Sequence, residues 1–137
     1  MTRAAAALAL ATLVSTSAWG QDRIGESCSG TETVEVGASA PKVVPYFLAF
    51  SANLLTGYYC YAQCRPEQTY AINDRLSDPI KLADVHRGNQ TRLITFSRKA
   101  GTLTDDQVLQ LFGTVRRSAR ATCRAAAFHE PTPLRDD

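Results

Sequence analysis

Short runs of alternating apolar and polar residues, separated by glycine, proline and other turn residues, occupy most of this chain. A period of two residues is typical of a β-strand that buries one face. Such strands are predicted at residues 31–36, 46–50, 58–61, 69–73, 79–83, 92–97, 101–104 and 119–125. The pattern indicates a mainly β protein, either a small antiparallel β-sandwich or a barrel of about seven to eight strands.

The clearest β-hairpin lies in the stretch Tyr46–Cys64, where a glycine supplies the positive φ that the return turn needs. The returning strand consists of Tyr58, Tyr59, Cys60 and Tyr61. Because alternate side chains of a strand face opposite ways, Tyr59 and Tyr61 share one face, and Tyr58 and Cys60 share the other.

Two segments are less regular. In residues 104–113, Thr104 and Gln107 form a capping-box pair, and the apolar residues that follow have helical spacing, so one short helix is predicted there. Residues 79–83 are open to both states, because Ser77–Pro79 would also begin a helix. We favour the strand, since apolar residues alternate there with other side chains.

Residues 1–20 are typical of a secretory signal peptide, because Arg3 is followed by an apolar run and then by small residues. Cleavage is expected after Gly20, with a cut after Ala18 as the alternative. No later apolar run reaches the length of about 18 residues that a membrane helix needs, so no transmembrane segment is expected. The mature protein is expected to be periplasmic or secreted. Its expected parts are a loose lead-in (21–30), a single β domain (31–128) and a C-terminal tail (129–137).

Four cysteines follow the signal peptide, namely Cys28, Cys60, Cys64 and Cys123. An even number in a small exported domain is typical of disulfides rather than of a metal site. Three pairings are possible. We favour a local Cys60–Cys64 bond with a long Cys28–Cys123 bond, and the other two pairings stay open at this point.

The charge of the chain is close to balanced. Its 15 basic and 13 acidic residues give a net charge of +2, and loss of Arg3 with the signal peptide leaves +1. Nucleic-acid-binding domains usually carry a strong basic excess, so no nucleic-acid partner is expected.

Several short motifs together resemble those of small uncharacterised exported proteins of proteobacteria. They are Cys28-Ser-Gly-Thr, Phe50-Ser, Gly57-Tyr-Tyr-Cys60, Ile80-x-Leu82, Phe96-Ser-Arg, Leu103-Thr and Cys123 with Phe128. The resemblance covers most of the mature chain. It implies export and a compact disulfide-bonded fold, and it brings no catalytic or binding residues.

The sequence contains no recognised catalytic motif. Its two histidines, His86 and His129, lie in no metal-binding helix, and there is no GxSxG nucleophile turn. Cys60 and Cys64 are separated by three residues, whereas the thiol redox motif has two. We therefore expect a protein without enzymatic activity, cofactor or metal, and a small hydrolase that uses scattered carboxylates is a remote alternative.

Two groups of side chains are candidates for binding. Tyr58, Tyr59 and Tyr61 offer phenol rings that suit stacking on sugars or lining a peptide groove, although they could equally fill the core. The other group is an arginine stripe with a spacing of four residues, formed by Arg116, Arg120 and Arg124. On a strand it shares one solvent-facing side, where it could bind an anionic envelope component.

Two classes of function follow from these candidates. The first is an interaction module of the bacterial envelope, which recognises a protein or a glycan through the tyrosine-rich hairpin or the arginine stripe. The second is a secreted inhibitor of a hydrolase, such as a lysozyme or a peptidase. The first ranks higher, because a near-neutral protein with an arginine stripe suits basic lysozymes poorly.

Overall fold

Eight β-strands form the fold in the computed structural model, which describes residues 22–135. They are β1 (Arg23–Val36), β2 (Lys42–Asn53), β3 (Tyr58–Tyr61), β4 (Thr69–Ala71), β5 (Ile80–Arg87), β6 (Gln90–Ser97), β7 (Thr102–Gln110) and β8 (Thr114–Ala125). Neighbouring strands are antiparallel, in the order β4-β3-β2-β1-β8-β7-β6-β5. The sheet curls into a nearly closed barrel, and two backbone hydrogen bonds between Asp74 and Lys81 link its edges. The predicted mainly β fold is confirmed, and it is a barrel rather than a sandwich.

The core of the barrel consists of the inward-facing side chains of its strands. Residues directly opposite each other in antiparallel strands share a face, so each pairing register identifies the inward positions. The rings of Phe50 on β2 and Phe96 on β6 meet edge to face inside the barrel, with 5.2 Å between their centroids. An eight-stranded barrel is just wide enough for side chains to fill. Ile80, Leu82, Ile94 and Leu103 complete the buried centre.

Two disulfides link the strands, in the pairing that we favoured. Cys28 and Cys123 lie directly opposite each other on β1 and β8 and are bonded across 95 residues of sequence. Cys60 at the end of β3 is bonded to Cys64 in the turn that follows. Two disulfides indicate an oxidising compartment outside the cytoplasm.

The predicted helix at residues 104–113 is wrong, because the segment Thr102–Gln110 is strand β7. It pairs along its whole length with β6 on one side and β8 on the other. These two ladders of tertiary contacts override the local capping pattern. Asp105, an acidic residue at the expected helix start, instead faces inward and binds Arg92. Among the described residues the only helical turn is the 3-10 turn Pro66–Gln68.

The predicted loose lead-in at residues 21–30 is also wrong from Arg23 onward, because β1 begins there. Ile24 and Cys28 are buried on its inward face. The residues between them are polar or small, so the sequence shows no clear alternation of apolar and polar positions there. The predicted signal peptide, residues 1–20, lies outside the described residues.

The C-terminal segment 126–135 has no regular secondary structure, but it is not loose. It crosses the outer face of β2 and β3, where the backbone N–H of His129 donates to Ser51 Oγ at 3.0 Å. The side-chain amide of Asn53 donates to Glu130 Oε1 at 2.8 Å. The segment therefore covers the outer side of the Cys60 disulfide, and Cys60 is fully buried.

Candidate functional site

Three turns meet at one end of the barrel, which we call the open end. They are the β1–β2 turn (37–41), the β5–β6 turn (88–89) and the β7–β8 turn (111–113). The N–H of Gly37 donates to the carbonyl of Thr114 at 2.9 Å, and the N–H of Gln110 donates to the carbonyl of Asn89 at 2.8 Å. These bonds hold the three turns together around one rim.

A buried ion pair lies inside the open end. Arg92 on β6 donates from Nε and Nη2 to the two carboxylate oxygens of Asp105 on β7, at 3.0 and 2.8 Å. The phenol of Tyr46 on β2 donates to Asp105 Oδ2 at 2.8 Å across the barrel. The hydrogen bonds to Asp105 raise the pKa of Arg92 above its ordinary value. These hydrogen bonds hold Arg92 and Asp105 in one geometry.

A second ion pair completes a polar floor below the rim. Arg117 on β8 donates from Nε to Glu32 Oε1 on β1. The two ion pairs, with Tyr46 and Gln107, line a cleft of about 170 Å³. We call these six residues the polar floor. It consists of Glu32, Tyr46, Arg92, Asp105, Gln107 and Arg117.

The two signs of charge in the polar floor are not equally accessible. The carboxylate side chains of Asp105 and Glu32 are only 7% and 9% exposed, whereas the side chains of Arg92 and Arg117 are 32% and 47% exposed. The arginine is therefore the more accessible partner in each ion pair, although the formal charges of the cleft cancel.

Apolar side chains form a collar above the polar floor. The pairing registers place them at inward positions near the ends of their strands, where they are only partly buried. The collar consists of Val34, Val36, Val44, Leu109 and Val115. Val36 is 53% exposed and Val44 is 37% exposed, so the collar is open to solvent.

The most exposed apolar side chain of this end lies in the β7–β8 turn. Phe112 is fully exposed and Leu111 is 67% exposed. We call Leu111–Gly113 the apolar tip. Its position in the turn between two long strands makes it an exposed apolar surface at the open end.

The predicted tyrosine site is mostly interior. Tyr59 and Tyr61 share one face of β3, as the alternation predicted, and the structure shows that this face is the inward one. Their phenol oxygens are 3.3 Å apart. Burial raises the pKa of Tyr59, Tyr61 and Tyr46 above the ordinary value, and for Tyr46 the Asp105 carboxylate adds to the effect. Tyr58 faces outward, at the position next to the buried Cys60, and is partly buried. Three of the five tyrosines therefore line the interior next to the polar floor.

Alkaline titration tests this burial. Above a pH of about 10, the tyrosines of the unfolded chain lose their protons. A phenol whose pKa is raised in the folded state keeps its proton there. The contribution of these phenols to the free energy of unfolding is therefore expected to be constant below that pH and to decrease above it. Tyr59→Phe should make the fall less steep, as measured by denaturant unfolding at a series of pH values. Tyr70→Phe, which removes a phenol that is 47% exposed, is the control. Identical slopes in both variants would contradict the assignment.

The predicted arginine stripe lies on the outer face of β8, as the strand interpretation required. Arg116, Arg120 and Arg124 are exposed. Arg120 is bound to Asp106 of β7, with 2.9 Å between Nη1 and Oδ1. Arg117 faces inward instead and belongs to the polar floor. The stripe and the cleft are therefore on different surfaces.

Sequence reasoning missed the charged residues of the polar floor, although a signal was present. Arg92 has the same strand parity as Ile94 and Phe96, and Asp105 has the same parity as Leu103. A charged residue in register with core residues indicates either a buried ion pair or a rim. That signal was overlooked because Asp105 had been assigned to a helix.

Two further observations concern metal-binding groups and membrane-spanning helices. Within residues 22–135, no group of three or more His, Cys, Asp or Glu side chains is placed to hold a metal ion. The same part of the chain contains no helix with the length and apolar character that crossing a membrane requires.

Comparison with known proteins finds no match to this chain among family models, curated proteins or solved structures.

Proposed function

We propose that this protein is an exported interaction module without enzymatic activity, and that it binds a partner protein at the open end of its barrel. The observation that carries the proposal is the complete exposure of Phe112 at the open end, where Leu111, Val36 and Val44 are exposed as well. Clustered exposed apolar residues on a soluble protein are typical of interaction sites. Export itself rests on the predicted signal peptide and agrees with the two disulfides.

The composition of the open end favours a protein partner over a glycan. Protein interfaces have an apolar centre enriched in aromatic residues and arginine, and a few such residues supply most of the binding energy. Phe112 and the exposed sides of Arg92 and Arg117 match that composition. The tyrosine face that the sequence offered for stacking on a glycan is interior, since Tyr59 is only 3% exposed.

An inhibitor of a hydrolase is the second candidate, and the exposed apolar tip favours it. A narrow hairpin turn with a bare aromatic side chain is a shape that can enter the cleft of an enzyme. In this case the partner protein would be the hydrolase. Activity assays of the captured partner, with and without the protein, separate the two candidates.

Substitution of the apolar tip tests the proposal. Tagged wild-type protein and Phe112→Ser are used to capture partners from an envelope extract, and the affinity of the purified partner is then measured by calorimetry. Loss of an aromatic residue at the centre of an interface typically costs about 2 kcal/mol or more, so binding is expected to weaken about thirtyfold.

Leu76→Ser is the matched control, since Leu76 is 93% exposed in the loop before β5, at the opposite end of the barrel. This variant should bind the partner as the wild type does. The thermal unfolding midpoints of both variants should stay close to the wild-type value, because both side chains are in solvent. Equal loss in both variants, or no loss in Phe112→Ser, would refute the proposed site.

A further inference from the structure

We infer that the cleft at the open end binds a carboxylate side chain of the partner protein, held between the guanidinium groups of Arg92 and Arg117. The inference rests on the proposed function for the source of the carboxylate, a protein, and on the polar floor for its chemistry.

Unused hydrogen-bond donors are the first support. A guanidinium has five N–H donors. Arg92 uses two of them on Asp105, and Arg117 uses one on Glu32. Among residues 22–135, no other hydrogen bond from either of these guanidiniums is present. Several donors of each group are therefore available to an acceptor that enters the cleft.

The arrangement of the ion pairs is the second support. Asp105 and Glu32 lie nearly buried, and each keeps its arginine in a fixed position. In each ion pair the arginine side chain is more exposed than the carboxylate, so an incoming group meets a guanidinium first. Binding then requires little reorganisation, because Tyr46 and Asp105 already fix the orientation of Arg92.

The size and charge of the cleft favour a carboxylate over larger or more highly charged groups. About 170 Å³ is below the usual range of small-molecule pockets, about 300–1,000 Å³, and suits a single side chain. A planar carboxylate matches the fork of a guanidinium. A doubly charged phosphate would meet two arginines whose charge is already balanced by two carboxylates.

The collar explains why the carboxylate would belong to a protein. Val36, Val44 and Leu109 lie at inward positions of the open end, so a side chain that enters the cleft can bring its neighbours against apolar surface. Contact of the partner with the collar and the apolar tip excludes water, and charge-assisted hydrogen bonds gain strength where water is excluded. A free small carboxylate would obtain the hydrogen bonds alone and should bind weakly.

Titration with two peptides tests the inference. The probes are acetyl-Val-Glu-Val-amide and acetyl-Val-Gln-Val-amide, which differ only in the charge of the central side chain. Binding is followed by NMR on the Nε–H signals of the arginines. The glutamate peptide should shift the signals of Arg92 and Arg117, with an affinity at least about tenfold higher than that of the glutamine peptide. Equal responses to the two peptides would overturn the inference.

Variants locate the response. Arg117→Lys keeps the charge but loses the planar fork, and it should weaken binding of the glutamate peptide about tenfold. Arg124→Lys on the outer face of β8 is the control and should leave binding unchanged. Shifts confined to Arg116, Arg120 and Arg124 would place the carboxylate on the outer stripe and would refute the site.

One further probe tests the carboxylate assignment, and two combinations of results separate this inference from the proposed function. A stronger response of the cleft to inorganic phosphate than to the glutamate peptide would overturn the carboxylate assignment. A partner whose binding depends on Phe112, combined with no response to the glutamate peptide, would refute the carboxylate site alone. A response to the peptide, with no partner that depends on Phe112, would refute the proposed docking surface alone.

Discussion

Replacing Cys28 and Cys123 together by alanine is expected to lower the free energy of unfolding by about 4–5 kcal/mol. The bond closes a loop of 95 residues. In the chain-entropy model, the stabilisation grows with the logarithm of the loop length and reaches about 4.7 kcal/mol for a loop of 100 residues. A small domain has only about 5–15 kcal/mol to lose. Denaturant unfolding monitored by tyrosine fluorescence measures the change.

Replacing Cys60 and Cys64 by alanine is the matched control. The same model assigns a loop of this length only about 2 kcal/mol, because its ends are close in the unfolded chain as well. The variant should therefore remain folded, with a smaller loss of stability. Equal losses in the two double variants would contradict the loop-length argument.

Asp105→Ala is expected to have the second-largest effect, a loss of about 3 kcal/mol in the free energy of unfolding. Removal of one partner of a buried ion pair typically costs 3–5 kcal/mol, because the remaining charge is left without compensation. The lower end applies here, since Arg92 is 32% exposed and can reach water. Tyr46 also loses its hydrogen-bond acceptor.

Asp106→Ala tests whether burial, rather than the ion pair itself, causes this loss. Asp106 is the next residue along β7, faces outward, and forms an ion pair with Arg120 in which the side chains are 37% and 60% exposed. Exposed ion pairs contribute about 0–1 kcal/mol. In thermal unfolding, the midpoint temperature of Asp105→Ala should lie far below that of Asp106→Ala. Similar unfolding midpoints would show that the polar floor is not a buried network.

The polar floor also suggests where the fold departs from the most stable arrangement. An apolar core could extend through both ends of the barrel, and buried ion pairs are often no more stabilising than apolar residues of the same volume. Places where a sequence departs from simple core packing are often functional sites. The open end combines such a departure with an exposed apolar tip, which is why we assign binding to it.

Much of the strand pattern could be predicted from the sequence, because local alternation records which side of a strand is buried. The hairpin around Gly57, the strand at Ile80 and the final strand that contains Cys123 were all found in this way. The favoured disulfide pairing is also confirmed, although the sequence left the two other pairings open. Alternation depends only on neighbouring residues, so a single sequence is enough to reveal it.

The sequence by itself therefore determined a mainly β fold, its four bonded cysteines and the fact that Tyr59 and Tyr61 share one face of their strand. The tertiary structure alone decided that the segment after Thr104 continues β7 as a strand, since its ladders come from β6 and β8 rather than from its own local pattern. It also decided the polar floor. Glu32 and Arg117 are 85 residues apart in the chain, and they meet only because β1 and β8 are neighbours in the barrel. Contacts between distant residues depend on the order of the strands in the barrel. The alternation of apolar and polar residues along each strand does not contain that order.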